Sequence, residues 1–195
     1  MGRFIIMPFF AKMTDISISI EAKKTPEISK KEMRFMNLWR EIEFGTQSVK
    51  DFKEDYPDSV FFFVKSENKI LAFGTLMPLK ISYLGKEYDL MRICNIISVE
   101  KGKGFGRMLV YEMERYMEAN EKTGLGFCPK NVLDFYLECG FSTREGFSRN
   151  FRYENPLTGE VKDCGGEAFF FEGPDGFIRK VVSFGGTIYL GAPFW

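Results

Sequence analysis

Apolar and polar residues alternate with period two over residues 15–21 (D-I-S-I-S-I-E), which predicts a half-buried first strand. Thr25-Pro26-Glu27 then offers a helix cap, a proline at the first helical position and an acid in the first turn. Met33, Met36, Leu38, Trp39 and Ile42 carry that helix to Gly45, and Ser48 is placed to cap a short second helix over 49–55, stopped by Pro57. Apolar runs 60–65 and 70–77 predict a hairpin about the polar turn 66–69. A second hairpin joins 79–84 to 88–94 through Gly85-Lys86-Glu87, and 95–99 prolong its last strand. Phe105, Met108, Leu109, Met113, Tyr116 and Met117 fall on one stripe of a helix over 104–119. Residues 125–128 form a short strand ended by Pro129. Residues 131–139 predict a helix apolar nearly all round, hence buried on most sides, with Gly140 as left-handed cap and Phe141 behind it. Strands are expected at 147–153, 168–171, 177–182 and 187–190, between turns at Asn155-Pro156, Gly165-Gly166, Gly173-Pro174 and Gly185-Gly186. This order predicts an α/β chain, a mixed sheet with helices on its faces, in one domain over 1–195.

Composition narrows the chemistry. With 27 basic and 27 acidic residues the chain shows no basic footprint, so no nucleic-acid partner is expected and a small neutral or polar substrate fits better. The 22 phenylalanines predict an aromatic-rich core. Histidine is absent, which removes every imidazole mechanism and leaves carboxylates, Tyr, Cys, Lys or water for proton transfer. Cys94, Cys128, Cys139 and Cys164 have no C-x-x-C spacing, so neither a metal site nor a disulfide framework is expected, and a reducing cytoplasm suits them. The segment Arg3-Phe4-Ile5-Ile6-Met7-Pro8-Phe9-Phe10-Ala11 is too short and broken for a leader. No run approaches the roughly 20 apolar residues of a membrane span, so no membrane is expected as partner.

The strongest chemical signal is I-I-S-V-E-K-G-K-G-F-G-R at 96–107, a β-branched run breaking into a glycine-rich basic turn at the start of a helix. Glycines at 102, 104 and 106 permit positive φ and close backbone approach, so amides converge on an anion where the helix dipole already favours negative charge. Lys101, Lys103 and Arg107 add formal charge. The ending lacks the Lys-Ser/Thr of a Walker A loop, and its G-x-G-x-G spacing is not the G-x-G-x-x-G of a dinucleotide turn. Lys101-Gly102-Lys103-Gly104-Phe105-Gly106 resembles instead the [Q/R]-x-x-G-x-[G/A] pyrophosphate loop of the GNAT acyltransferase superfamily. One strand later, Asn131 to Phe141 resembles that superfamily's second signature, N-x-x-x-[FL]-Y-x-x-x-G-F. The resemblance spans about residues 59–141.

The resemblance implies a GNAT acyl-CoA N-acyltransferase fold, here with an extra hairpin over 79–94 and a strand-rich C-terminal extension. It implies acetyl-CoA as acyl donor and a small-molecule amine as acceptor, acetylated by direct attack. Ile97, Ser98 and Val99 would lie along the pantetheine arm, with Ile97 and Val99 bonding it through backbone. The turn from Lys101 through Gly102, Lys103, Gly104, Phe105 and Gly106 to Arg107 would hold the pyrophosphate. Asn131 would contact the cofactor arm and Tyr136 would protonate the departing thiolate. On residue type alone, Asn131 serves equally as a helix cap and Tyr136 as a core tyrosine. Many relatives carry Glu where this chain has Asn95, which cannot act as a base but can orient a water. Glu41, Glu43, Asp89 and Glu167 are alternative bases. Association into a homodimer is a further expectation. In layout the hairpin and the tail Ala192-Pro193-Phe194-Trp195 are similar to aminoglycoside 2′-N-acetyltransferases, but Asn95, Pro193 and the lack of an evident acidic cluster depart from them. A module that binds CoA without turnover is the alternative to an enzyme.

Overall fold

The computed structural model describes residues 17–45, 49–67, 69–155 and 158–191. Seven strands form one sheet in the order β1 (Ile18–Lys24), β2 (Val60–Ser66), β3 (Lys69–Tyr83), β4 (Lys86–Ser98), β5 (Gly124–Cys128), β9 (Glu167–Phe171) and β6 (Ser142–Thr143). Every neighbouring pair is antiparallel except β4 with β5. A second sheet sets β7 (Phe151–Glu154) between β8 (Val161–Asp163) and β10 (Ile188–Leu190).

Both faces of the main sheet are covered, which explains the unbroken V-F-F-F-V of β2. Phe62 and Val64 turn to one face and meet Leu109, Val110, Met113 and Met117 of α3 (Phe105–Ala119). Phe61 and Phe63 turn to the other and meet Met36 of α1 (Lys30–Phe44) and Phe52 of α2 (Phe52–Asp55), together with Phe73, Cys94 and Ile97. Farther along β3 and β4, Leu79, Ile81, Tyr83, Tyr88 and Leu90 form a separate cluster with the second sheet and α5 (Phe177–Phe184).

Several elements differ from their sequence-based expectation. Thr25 does not cap α1: residues Thr25–Glu27 form a single 3-10 turn, and the buried Thr25 hydroxyl donates to the Tyr56 carbonyl at 2.7 Å. The cap is Ser29, whose Oγ accepts from the Glu32 amide at 3.2 Å while Glu32 Oε2 accepts from the Ser29 amide at 2.9 Å, a capping box. Asp51 caps α2. The predicted second hairpin is the outer half of one long hairpin, because β3 runs straight through Pro78. β2 ends opposite Leu76, so Pro78 has a strand on one side only, where a sheet tolerates proline. Residues 177–182 are helical, not extended. Phe177, Ile178 and Val181 share a buried stripe, Asp175 Oδ1 accepts from the Phe177 amide at 2.9 Å, and Gly185 ends the helix. Residues 147–150 form a 3-10 turn ahead of β7. Helix α4 (Leu133–Glu138) follows a 3-10 turn and is one-sided: Tyr136 and, just beyond it, Cys139 are buried, while Leu137 and Glu138 face outward. So short a helix has only one stripe to bury.

Asp15, Ile16, Ser48, Asn68, Pro156, the segment 3–11 and the tail 192–195 lie outside the described residues. Among the described residues, no helix is long and apolar enough to cross a membrane. Cys94, Cys128, Cys139 and Cys164 are buried free thiols.

One ion cluster ties α1 to the sheet. Glu32 Oε1 lies 2.6 Å from Lys23 Nζ and 3.0 Å from Lys65 Nζ. Burial by itself would raise the Glu32 pKa, but the hydrogen bonds from Lys23, Ser29 and Lys65 prevail and hold it at about 2, against an ordinary 4.5. A pKa lowered on folding stabilises the native state above the unfolded value, a contribution lost as pH falls through the folded one. Glu32→Gln is therefore expected to lower the melting temperature at neutral pH and to flatten the loss of stability that the parent shows between about pH 4.5 and 2. Parallel melts of both proteins over that range check it.

Candidate active site

The centre of the site is an irregularity in β4. Ile97 pairs with Phe73 and Cys94 with Thr75, so Asn95 and Ile96 together oppose Gly74 in a β-bulge. Asn95 takes φ +54, a region asparagine tolerates better than most residues. Gly74 admits the bulge: a Cβ there would stand 2.6 Å from Ile96 Cδ1, with Met113 and Leu109 behind it. Just before the bulge β4 leaves β5. Their parallel pairing covers only Met91↔Gly124 and Arg92↔Leu125, while β5 stays paired with β9 as far as Cys128↔Glu167. A gap therefore opens between the end of β4 and the end of β5.

The Val99 amide donates to the Leu71 carbonyl at 2.9 Å, and the alternation of an antiparallel ladder turns the Ile97 backbone toward β3 as well. The two backbones expected to face a ligand thus face β3, and Ser98 between them faces the gap. The parity of the ladder decides this, and the bulge shifts that parity out of reach of sequence reading.

At the mouth of the gap the glycine turn enters α3. Gly102 at φ +74 and Gly104 at φ +82 are left-handed, and Gly104 caps the helix. Gly106 is not: it lies inside the first helical turn, buried, where a Cβ would stand 3.5 Å from the Phe135 ring and 3.6 Å from Ser98 Cβ. The first helical bond of α3 is from the Met108 amide to the Gly104 carbonyl, so the amides of Phe105, Gly106 and Arg107 have no helical acceptor. No acidic side chain occupies that turn. Lys101 Nζ pairs with Glu43 at 2.6 Å and Arg107 with Glu138, so these two charges flank the amides on tethers, while Lys103 is exposed.

Tyr136 stands on the far side of the gap, 7% exposed. Its ring stacks on Phe169 with centroids 3.7 Å apart and planes 14° off parallel. Phe169 in turn lies flat on Gly126, where a Cβ would come within 2.2 Å of Cζ. A glycine on β5 thus sets the height of the catalytic candidate. The Tyr136 hydroxyl makes no hydrogen bond to any described residue. Burial raises its pKa, with further upward pushes from Cys128, Cys139 and Cys94, so it remains a phenol at neutral pH. Asn131 is exposed in the turn after β5 and does not cap α4, whose cap position is Val132.

Asn95 faces α1 rather than open solvent. Its Oδ1 accepts from Arg40 Nε at 3.2 Å, and Arg40 Nη1 donates to Asn37 Oδ1 at 3.2 Å. Of the alternative bases, Glu43 is held by Lys101, Asp89 by Lys122 at 2.6 Å toward the other end of β4, Glu41 is exposed, and Glu167 stands opposite Cys128. Sequence reading passes over Arg40, Tyr56, Thr75 and Arg92, all buried on this face. The signal for Arg92 is a lone charge inside the apolar run L-M-R-I-C, and for Arg40 its place one turn after Met36. A separate recess of about 580 Å³, lined by Phe35, Trp39, Lys65, Leu71 and Val99 among others, lies on the β3 side of β4 and does not include Tyr136.

No family model and no curated protein matches this sequence. Solved structures do match in fold. The N-acetyltransferase YhbS of Escherichia coli, solved in complex with CoA, is 14% identical over 91% of this chain and 92% of its own, with a TM-score of 0.56. Escherichia coli ElaA is 13% identical over 80% of this chain and 100% of its own, with a TM-score of 0.55. An acyl-CoA N-acyltransferase from Pseudomonas aeruginosa is 13% identical over the same shares, with a TM-score of 0.53.

Proposed function

We propose that this chain, which has the fold of the GNAT N-acetyltransferases, transfers an acetyl group from acetyl-CoA to the amine of a small molecule. The observation that carries the reading is the parting of β4 from β5 beside the N-terminus of α3. A strand edge left open in this way bonds an extended amide-bearing arm as it would another strand, and the Ser98 backbone is the group turned to it. The uncapped amides of Phe105, Gly106 and Arg107, with left-handed Gly102 and Gly104, suit a pyrophosphate. The CoA bound to YhbS is consistent with this fit. Asn131, exposed in the turn after β5, is the side chain assigned to contact that arm.

Acetyl-CoA supplies the activated acyl carbon as a thioester. The chain supplies proton handling and orientation. Tyr136, a neutral phenol that bonds no described residue, donates the proton that the leaving sulfur needs, and its stack on Phe169 holds the ring in place. An ordinary alkylammonium near pKa 10.4 costs roughly 4.6 kcal/mol to neutralise near pH 7, and Asn95 cannot take that proton. Its fixed amide orients the water or the amine through which the proton leaves. The missing carboxylate at 95 favours a CoA-binding module without turnover as second reading; the Tyr136 hydroxyl, which bonds no described residue, favours the enzyme. The two separate in one assay, in which acetyl-CoA is incubated with members of each amine class and free thiol is measured. Amine-dependent thiol release is expected. Binding of acetyl-CoA without release for any amine would leave the module.

A further inference from the structure

The outward side of α1 is apolar at its centre. Leu38 is 54% exposed and Ile42, one helical turn on, 59%, and the half-buried Phe35 and Trp39 border them. Exposed apolar side chains standing singly need no explanation, but a stripe of them along one helix does. The charges on the same side run against the helix. Lys30, Lys31 and Arg34 crowd its first turns, three and four residues apart, where the helix dipole disfavours cations, and Glu41 stands in its last turn, where the dipole disfavours an anion. Arg34 and Glu41 are exposed, and neither has an ion pair among the described residues. Both faults are relieved when a second helix of the same charge order lies antiparallel on the first, because its acidic end then meets the basic one.

A second copy of α1 supplies that helix, because the pattern is symmetric about Leu38. At about 100° per residue, Arg34 and Glu41 fall on one flank of the Leu38 line and Phe35, Trp39 and Ile42 on the other. A two-fold axis through Leu38, perpendicular to the plane of the two helices, keeps each flank on its own side and reverses the chain. Arg34, four residues before Leu38, then lies level with the partner's Glu41, three after it, and Phe35 lies level with the partner's Ile42. Leu38 meets its own copy on the axis. We propose that this chain forms a two-fold homodimer by antiparallel packing of α1 on α1, with Leu38 at the centre and two Arg34–Glu41 pairs at the rim. A strip about 22 Å long and about 10 Å wide stays below the roughly 800 Å² a side of a standard interface, so a weak, reversible dimer is expected. The inference does not depend on the acetyltransferase reading but touches the same site: the inward side of α1 holds Asn95 through Arg40 and Lys101 through Glu43, so the partner backs that wall.

Sedimentation velocity of the full chain between about 1 and 200 µM tests this, with a monomer–dimer equilibrium of Kd about 10–100 µM as the expected result. Leu38→Glu sets two carboxylates face to face on the axis and should leave monomer throughout the range. Arg34→Glu and Glu41→Arg should each weaken the dimer about tenfold, while an equimolar mixture of these two variants should restore it, since each then offers the charge that the other lacks. Only the Arg34–Glu41 register predicts that rescue. All three positions are exposed, so the variants should melt with the wild type, and the wild-type measurement requires no variant at all. A wild type that stays monomeric up to about 200 µM overturns the inference and leaves the stripe to a different partner. A dimer that folded Leu38→Glu leaves intact overturns it as well, as does a mixture that associates no better than either single variant.

Discussion

Tyr136→Phe is expected to lower kcat on any amine the wild type acetylates by about two to three orders of magnitude, while acetyl-CoA affinity stays within a factor of about two. The expectation follows from what the substitution leaves alone. The ring, stacked at 3.7 Å on Phe169 and edge-on to Phe135 and Phe141, is unchanged, so packing survives. The hydroxyl bonds no described residue, so its loss strands no protein partner, and melting temperature should barely move. What disappears is a proton donor. Because burial raises the Tyr136 pKa, the donor stays loaded well into the alkaline range, and the wild-type rate should show no loss from its ionisation near the ordinary value of 10. Steady-state kinetics beside calorimetric titration of acetyl-CoA separate the two quantities. Unchanged turnover would remove Tyr136 from the mechanism.

The parts of this site that are legible in the sequence are those built from local backbone requirements. Gly102 and Gly104 announce left-handed turns and do adopt them, and the turn, α3 and α4 follow in the order that the patterns predict. Gly106 misleads for the same local reason: a third glycine in the run suggests a third left-handed residue, yet it serves inside the helix. The mixed α/β sheet is legible because its strands carry strong apolar runs. Less visible is anything set by pairing. Whether Ile97 or Ser98 faces the gap depends on a one-residue bulge opposite Gly74, and no single strand records its own register. Phe177, Ile178, Val181 and Val182 look alike as strand or helix, and only Asp175 and Gly185 decide for the helix. Pro78 looks like a breaker because its single-sided position in the sheet is a tertiary fact. The buried arginines stay hidden because a charge in an apolar run is ambiguous until the opposite layer is known.

The second large effect concerns the turn itself. Gly104→Glu adds a side chain where a Cβ meets nothing within 4 Å, so the fold has room for it, although φ +82 strains any residue but glycine. It also sets a carboxylate at the cap of α3, beside the amides of Phe105, Gly106 and Arg107. Gly104→Asn carries a comparable backbone strain without the charge, since asparagine visits the left-handed region. Like charge against a bound pyrophosphate costs several kcal/mol, so affinity for acetyl-CoA should fall by two or more orders of magnitude, on the order of 100-fold, in Gly104→Glu and far less in Gly104→Asn. Both variants should melt at similar temperatures without ligand.

The measurement closest to the central claim is calorimetric titration of acetyl-CoA into the wild type and these two variants. Saturable binding to the wild type, slightly weakened in Gly104→Asn and weakened on the order of 100-fold in Gly104→Glu, is the predicted result. No binding to the wild type at millimolar acetyl-CoA, or equal binding to all three proteins, would contradict the assignment of the β4–β5 gap and the α3 amides as an acyl-CoA site.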